Sequence, residues 1–144
     1  MFENVFEDND TANLSIISFL ASGSKRKIKD EKFDPYCEAI YIHDNVFGGG
    51  GTNPAGPIGK IIRQAFGKEG PDIVYDGIVD PKKMVDGKLP PELGIYVQNN
   101  GDATFAILDL WSAQQGQQPN ISTDLSAYQG SLPQLKPVSI AGVE

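Results

Sequence analysis

This sequence of 144 residues has one cysteine, one histidine, one tryptophan and two methionines. A single cysteine excludes an internal disulfide. One cysteine and one histidine cannot by themselves complete a tetrahedral zinc site, and the residues present lead us to expect no metal and no cofactor. Bases are also scarce, 12 against 19 acids, for a net charge of −7. An acidic surface opposes non-specific association with nucleic acid or anionic membrane. The apolar run Leu14 to Ala21 (LSIISFLA) is too short to span a bilayer. The acidic N-terminus is the reverse of a signal peptide's basic start. The expected setting is therefore a cytoplasm or a particle assembled there, with neither membrane nor nucleic acid as direct partner.

What the chain does contain is glycine, 16 residues, and proline, 10, with 40% hydrophobic residues. The length suits one domain able to bury a core without staples, and the glycine and proline content favours short strands and irregular connections. Charge is unevenly spread. MFENVFEDND carries four acids and no base, Lys25 to Lys32 (KRKIKDEK) five bases and two acids, and beyond Leu89 the sole base is Lys136. The basic segment, with Phe33 and Tyr36 near, is too small and too interrupted to overturn the exclusion of nucleic acid.

Three units follow from this patterning: an acidic arm over residues 1–12, an α+β domain over 13–111 and an extended Pro/Gln-rich segment over 112–144. Phe2, Val5 and Phe6 suggest that the arm docks, on its own domain or on a neighbour. Residues 13–21 and 36–43 (YCEAIYIH) read as strands rich in β-formers. PIGKIIRQAFG reads as a helix over 57–66, with Pro57 in its first turn, Ile58, Ile61, Ile62, Ala65 and Phe66 on one face, and Gly67 as its stop. In GIYVQNNGDATFAILDLW, Asn100-Gly101 is the pair favoured by a type I′ turn, which predicts an antiparallel hairpin facing Tyr96 with Phe105. The predicted fold is thus a mainly antiparallel sheet with one helix packed on it and irregular termini. The final segment could add an edge strand at Pro137 to Ile140. No internal repeat or domain boundary stands out. The expected core comprises Ile40, Ile42, Ile58, Ile61, Ile62, Phe66, Ile73, Ile95, Val97, Phe105, Ile107 and Leu108.

Candidate chemistry is thin. The glycine run 48–51 leads toward Gly59-Lys60, but a phosphate-gripping loop would need glycine where Pro54 stands and a hydroxyl where Ile61 stands. A generic anion site using Gly50, Gly51 and Lys60 at the helix N-terminus is the remaining option, against a plain flexible entry to the helix. Asp72, Asp76 and Asp80 read as turn aspartates. Asp109, within the apolar LDLW, is the single candidate acid–base residue, since a carboxylate buried there would have a raised pKa. Cys37 and His43 would lie too far apart along one strand to act as a pair. Phe2, Phe6, Trp111 and Tyr128 are the candidate partner-binding residues. The leading expectation is a non-enzymatic structural or interaction subunit of a larger assembly, such as a component of a viral or phage-like particle, meeting copies of itself or other proteins. A small acidic inhibitor of a basic partner and a small enzyme using Asp109 or the glycine loop are the alternatives.

Overall fold

The structure, a computed structural model, is described for residues 1–24, 26 and 28–135. The expected edge strand at Pro137 to Ile140 lies outside the described residues, as do Lys25 and Lys27 of the basic segment.

Seven short strands follow one another: β1 (Val5–Glu7), β2 (Leu14–Ile16), β3 (Ile40–His43), β4 (Val46–Gly48), β5 (Ile73–Tyr75), β6 (Ile95–Gln98) and β7 (Phe105–Ile107). Every ladder between them is parallel: β1 with β4, β2 with β5, β3 with β6, and β5 with β7. Each strand thus pairs with the third one after it until the last turn, which has no counterpart of β4. That connectivity describes a three-sided coil in which the chain circles and stacks on itself. The first turn, or rung, holds β1 and β2, the second β3, β4 and β5, and the third β6 and β7. Residues ahead of β1 complete the first rung, because the Met1 ammonium donates to Tyr41 O and His43 N donates to Met1 O.

This corrects the expectation of a mainly antiparallel sheet, and the predicted hairpin goes with it. Tyr96 lies beside Tyr41, and Phe105 beside Ile73. A type I′ turn needs positive φ at both Asn100 and Gly101. Here the left-handed residues are Asn99 and Gly101, and Asn100 between them is not left-handed. The corner therefore redirects the chain to another side of the coil instead of folding it back. The same corner recurs one and two rungs earlier. Glu3, Asp44 and Asn99 all have φ between 52° and 55°, and each is followed by an asparagine. A left-handed residue tolerates Asn and Asp best, which accounts for two of the three.

Those asparagines form a ladder. Asn4 donates its backbone N–H and its Nδ2 to Asn45 Oδ1 at 3.1 and 3.0 Å. Asn45 repeats the pair of contacts on Asn100 Oδ1 at the same two distances. Asn100 Nδ2 closes on Ile42 O at 3.0 Å. The register also exposes a repeat that a search for one fixed period misses. AIYIHDN (39–45) aligns with GIYVQNN (94–100), and ENVFED (3–8) with DNVFGG (44–49). The repeat is masked because the excursions between rungs differ in length.

Inside the coil, side chains stack rung upon rung: Ile42 on Val97, Phe6 on Phe47 with ring centroids 5.0 Å apart, and Leu14 on Ile73 on Phe105. Outside, β5 is covered by helix α1 (Gly56–Phe66), whose Ile58, Ile61, Ile62 and Phe66 pack with Val74, Ile78, Leu108 and Leu110. Both faces of β5 are therefore buried. The amphipathic helix stands where its 3.6-residue periodicity predicted. A second helix, α2 (Leu110–Gln114), replaces the expected continuation of strand through Trp111.

The excursion that carries α1 leaves after β4 and returns at β5. Its neck is held by Asn13, whose Nδ2 donates to Gly48 O (3.1 Å) and Asp72 Oδ1 (2.9 Å), and by Gly70 N donating to Gly51 O. The far side of the third rung is covered by the chain after α2. Ile107 and Ser122 exchange both backbone bonds, Gln129 Nε2 reaches Val97 O, and the Tyr128 ring lies 5.2 Å from Phe105 and 6.0 Å from Tyr75.

Candidate functional site

Asp109 sits at the corner after β7, with φ 48°. It caps α2 through Ser112 N at 3.4 Å, and its other oxygen accepts Asn120 N at 2.8 Å. Both carboxylate oxygens thus hold backbone in place, and Asp109 lines no described cavity with other reactive groups.

The glycine loop runs beside residues 8–10 of the first rung. Gly51 N donates to Asn9 O and Asn53 N to Asp10 O. Its glycines permit close approach of chain to chain. A Cβ at Gly49, where φ is 62°, would fall 2.2 Å from Asp8 Oδ1, and one at Gly51 2.5 Å from Gly70 O. Gly49 and Gly50 line a cleft of about 720 Å³ together with Glu69, Asp72 and Thr104. Lys60, exposed on α1, does not reach that cleft, so its lining bears carboxylates without a base. Asp72 accepts from Asn13 Nδ2, Thr104 N and Thr104 Oγ1, which makes it a brace between rungs.

A second group of ionisable residues surrounds Lys83, whose Nζ lies 2.5 Å from Asp34 and 2.6 Å from Glu38. The hydrogen bond from Lys83, together with the Tyr36 N–H, holds Asp34 below the usual carboxylate range. Asp76 is fully buried and accepts Ser18 N at 2.6 Å and Ile78 N at 2.9 Å. Burial, the main cause, and the neighbouring Asp76 and Asp34 push the Cys37 thiol up and keep it protonated, the opposite of an activated nucleophile. Cys37 packs toward the coil interior, whereas His43 faces outward from β3, where it stacks on Tyr41 and Phe2. Among the described residues no group of three or more His, Cys, Asp or Glu side chains is placed to hold a metal ion, and no helix is long and apolar enough to cross a membrane.

The four aromatic candidates separate into two regions and an outlier. Phe2 and Phe6 belong to the first rung, stacked on His43 (5.2 Å) and Phe47 (5.0 Å). Tyr128 covers the third rung, with burial raising its hydroxyl pKa. Trp111 is 39% exposed on α2.

The arrangement that sequence reading missed is the outer edge of the first rung. In a parallel strand, one residue directs its N–H and C=O to one neighbour and the next residue to the other. Asn4 O and Asp8 N are bonded to the β4 side, which leaves the backbone groups of Val5 and Glu7 on the outer edge. By the same alternation, Leu14 N and Ile16 O engage the β5 side and leave Ser15 outward. Among the described residues no strand pairs with this edge; Asn9 Nδ2 donates to Glu7 O at 3.1 Å, and Leu132 to Leu135 share a cleft with Met1 and Phe2. Met1, Phe2 and Val5 are 52%, 56% and 64% exposed around the edge, beside exposed Glu3, Glu7, Asp8 and Asp10. None of these four acids pairs with a base among the described residues. The sequence signal that could have found the edge is the recurrence of Asn-Val-Phe at 4–6 and 45–47, which marks β1 and β4 as successive levels of one side of the coil.

No family model, curated protein or solved structure matches this chain.

Proposed function

We propose that this protein is a non-catalytic interaction subunit of a larger protein assembly, joined to its neighbours through the outer edge of the first rung. One observation carries the reading. The first rung repeats the Asn-Val-Phe of the second, yet among the described residues no strand pairs with its outer edge, and Met1, Phe2 and Val5 there are more than half exposed. Open edges are templates for pairing, and charge on them is a common device against indiscriminate pairing. The candidate reactive groups support the same conclusion, since Asp72, Asp76 and Asp109 spend their oxygens on backbone and neighbouring side chains.

The acids beside the edge keep identical copies apart, so removing them tests the reading. The quadruple variant Glu3→Gln, Glu7→Gln, Asp8→Asn, Asp10→Asn is expected to self-associate at micromolar concentration by light scattering, and Val5→Pro in that background to return it to monomer. Wild-type protein should shift the same way in ~1 M salt, where screening acts over about 3 Å. A variant that stays monomeric at every concentration and salt would sink the proposal.

A further inference from the structure

Resting on that reading, we infer that the outer edge of β1 accepts one extended strand from a separate protein chain. The strand runs parallel to β1 and reads Asn, apolar, aromatic, Lys or Arg in register with Asn4, Val5, Phe6 and Glu7.

Each element of that pattern has its own source. Direction follows from the four ladders, all parallel. The asparagine follows from the ladder at the corner. Asn45 Oδ1 receives an N–H and an Nδ2 from the rung before it, and Asn100 Oδ1 receives the same pair at the same distances. Asn4 occupies the equivalent place, and its Oδ1 accepts nothing from the described residues. An asparagine entering one rung earlier would supply both donors. The aromatic follows from Phe6 and Phe47, which stack along the inside of that side of the coil; a ring at the next level would cover Phe6. Val5 aligns with Val46, and both lie on the outer surface, 64% and 59% exposed, where an apolar neighbour removes surface from water.

The basic residue follows from charge. Residues 1–24 contain Glu3, Glu7, Asp8 and Asp10 and no lysine, arginine or histidine. Complementary charge across such an edge raises the rate and specificity of pairing. The same charge disfavours a second copy of this chain as occupant, because two first rungs face to face would double the negative charge. Recognition of this kind is strand addition, in which main-chain bonds give affinity and alternating side chains give selectivity.

The test uses wild-type, isotope-labelled full-length protein and synthetic peptides. The core peptide carries Lys-Asn-Val-Phe-Lys-Lys, and controls replace its lysines by glutamate, its asparagine by alanine, or scramble the order. The core peptide is expected to bind with resonance changes at the Val5 and Glu7 amides, and hydrogen exchange there should slow, while Phe6, already directed to β4, keeps its protection. The glutamate peptide should bind at least about tenfold more weakly, and the alanine peptide about fivefold, the worth of one hydrogen bond. Equal binding of core and scrambled peptides, changes mapping away from β1, or no binding would overturn the inference. So would dimerisation of the wild-type protein at low salt through the Val5 edge, since the occupant would then be a second copy. If the charge-neutralised variant associates while the core peptide does not bind, the strand chemistry proposed here fails and the subunit reading stands.

Discussion

The first and third rungs share the asparagine corner and meet water in different ways. On the third, Asn100 is buried, Val97 and Phe105 are covered, and the returning chain seals the edge through Ser122, Tyr128 and Gln129. On the first, Asn4 is exposed, Phe6 is only partly covered and, among the described residues, no strand pairs with the outer edge of β1. The difference does not lie in the corner, since Glu3-Asn4 and Asn99-Asn100 share a left-handed residue followed by asparagine. It lies in what is stacked on top.

The comparison can be broken most directly at the two outermost aromatics. Tyr128→Ala should cost about 3 kcal/mol in denaturant unfolding, because it uncovers Phe105 and Tyr75, whereas Phe2→Ala should cost under about 1 kcal/mol. Similar losses would mean that the first rung is sealed as well as the third. The asparagine ladder gives the next largest contrast. Asn45→Ala removes a buried side chain and strands the N–H of Asn4, with an expected loss of about 2 kcal/mol; Asn4→Ala, solvated already, should lose about 0.5 kcal/mol. Equal values would remove the ladder as the register device.

Two titrations sharpen the picture. Burial, the leading cause, with Asp76 close by raises the Tyr75 hydroxyl well above its ordinary value of 10.0, and burial raises Tyr128 too. In the unfolded chain these phenols lose their protons first. The stability they contribute is therefore complete below about pH 10 and falls above it, by up to about 1.4 kcal/mol per pH unit for each group. Tyr128→Phe should lessen that alkaline slope in pH-dependent unfolding, and an unchanged slope would place Tyr128 in water. The smallest effect belongs to Asp34, lowered by Lys83 and the Tyr36 N–H. Its contribution is present above the usual carboxylate range and is lost as pH falls through the folded value. Because the pair is well exposed, Asp34→Asn should change stability at neutral pH by less than about 0.5 kcal/mol, and less still in acid.

How much of this was legible depended on distance along the chain. Helix α1 was readable because its evidence is local: Pro57 at the start, apolar residues three and four apart, Gly67 at the end. Strands at 40–43 and 95–98 were readable from Ile-Tyr-Ile and Ile-Tyr-Val for the same reason. Pairing was not. Asn-Gly after a strand serves a hairpin and a coil corner alike, since both call for left-handed backbone, and only the recurrence of the corner at 44–45 and 3–4 tells them apart. Asp109 misled for a related reason. Apolar neighbours on both sides resemble a continuing strand, while the left-handed corner that ends β7 and starts α2 leaves its mark only in three dimensions, stacked over Gly77. The open edge followed from the missed repeat, as it becomes visible only when rungs are aligned.

The clasp that Asn13 forms between Gly48 and Asp72 sets the limits of a module. It holds together two points of the coil between which the chain wanders off to build α1 and comes back. The shorter first-rung connection at 8–13 bridges the corresponding points with no helix. Whatever is threaded through that gate inherits a fixed entrance and exit, but it must also supply the apolar cover that Ile58, Ile61, Ile62 and Phe66 give to β5.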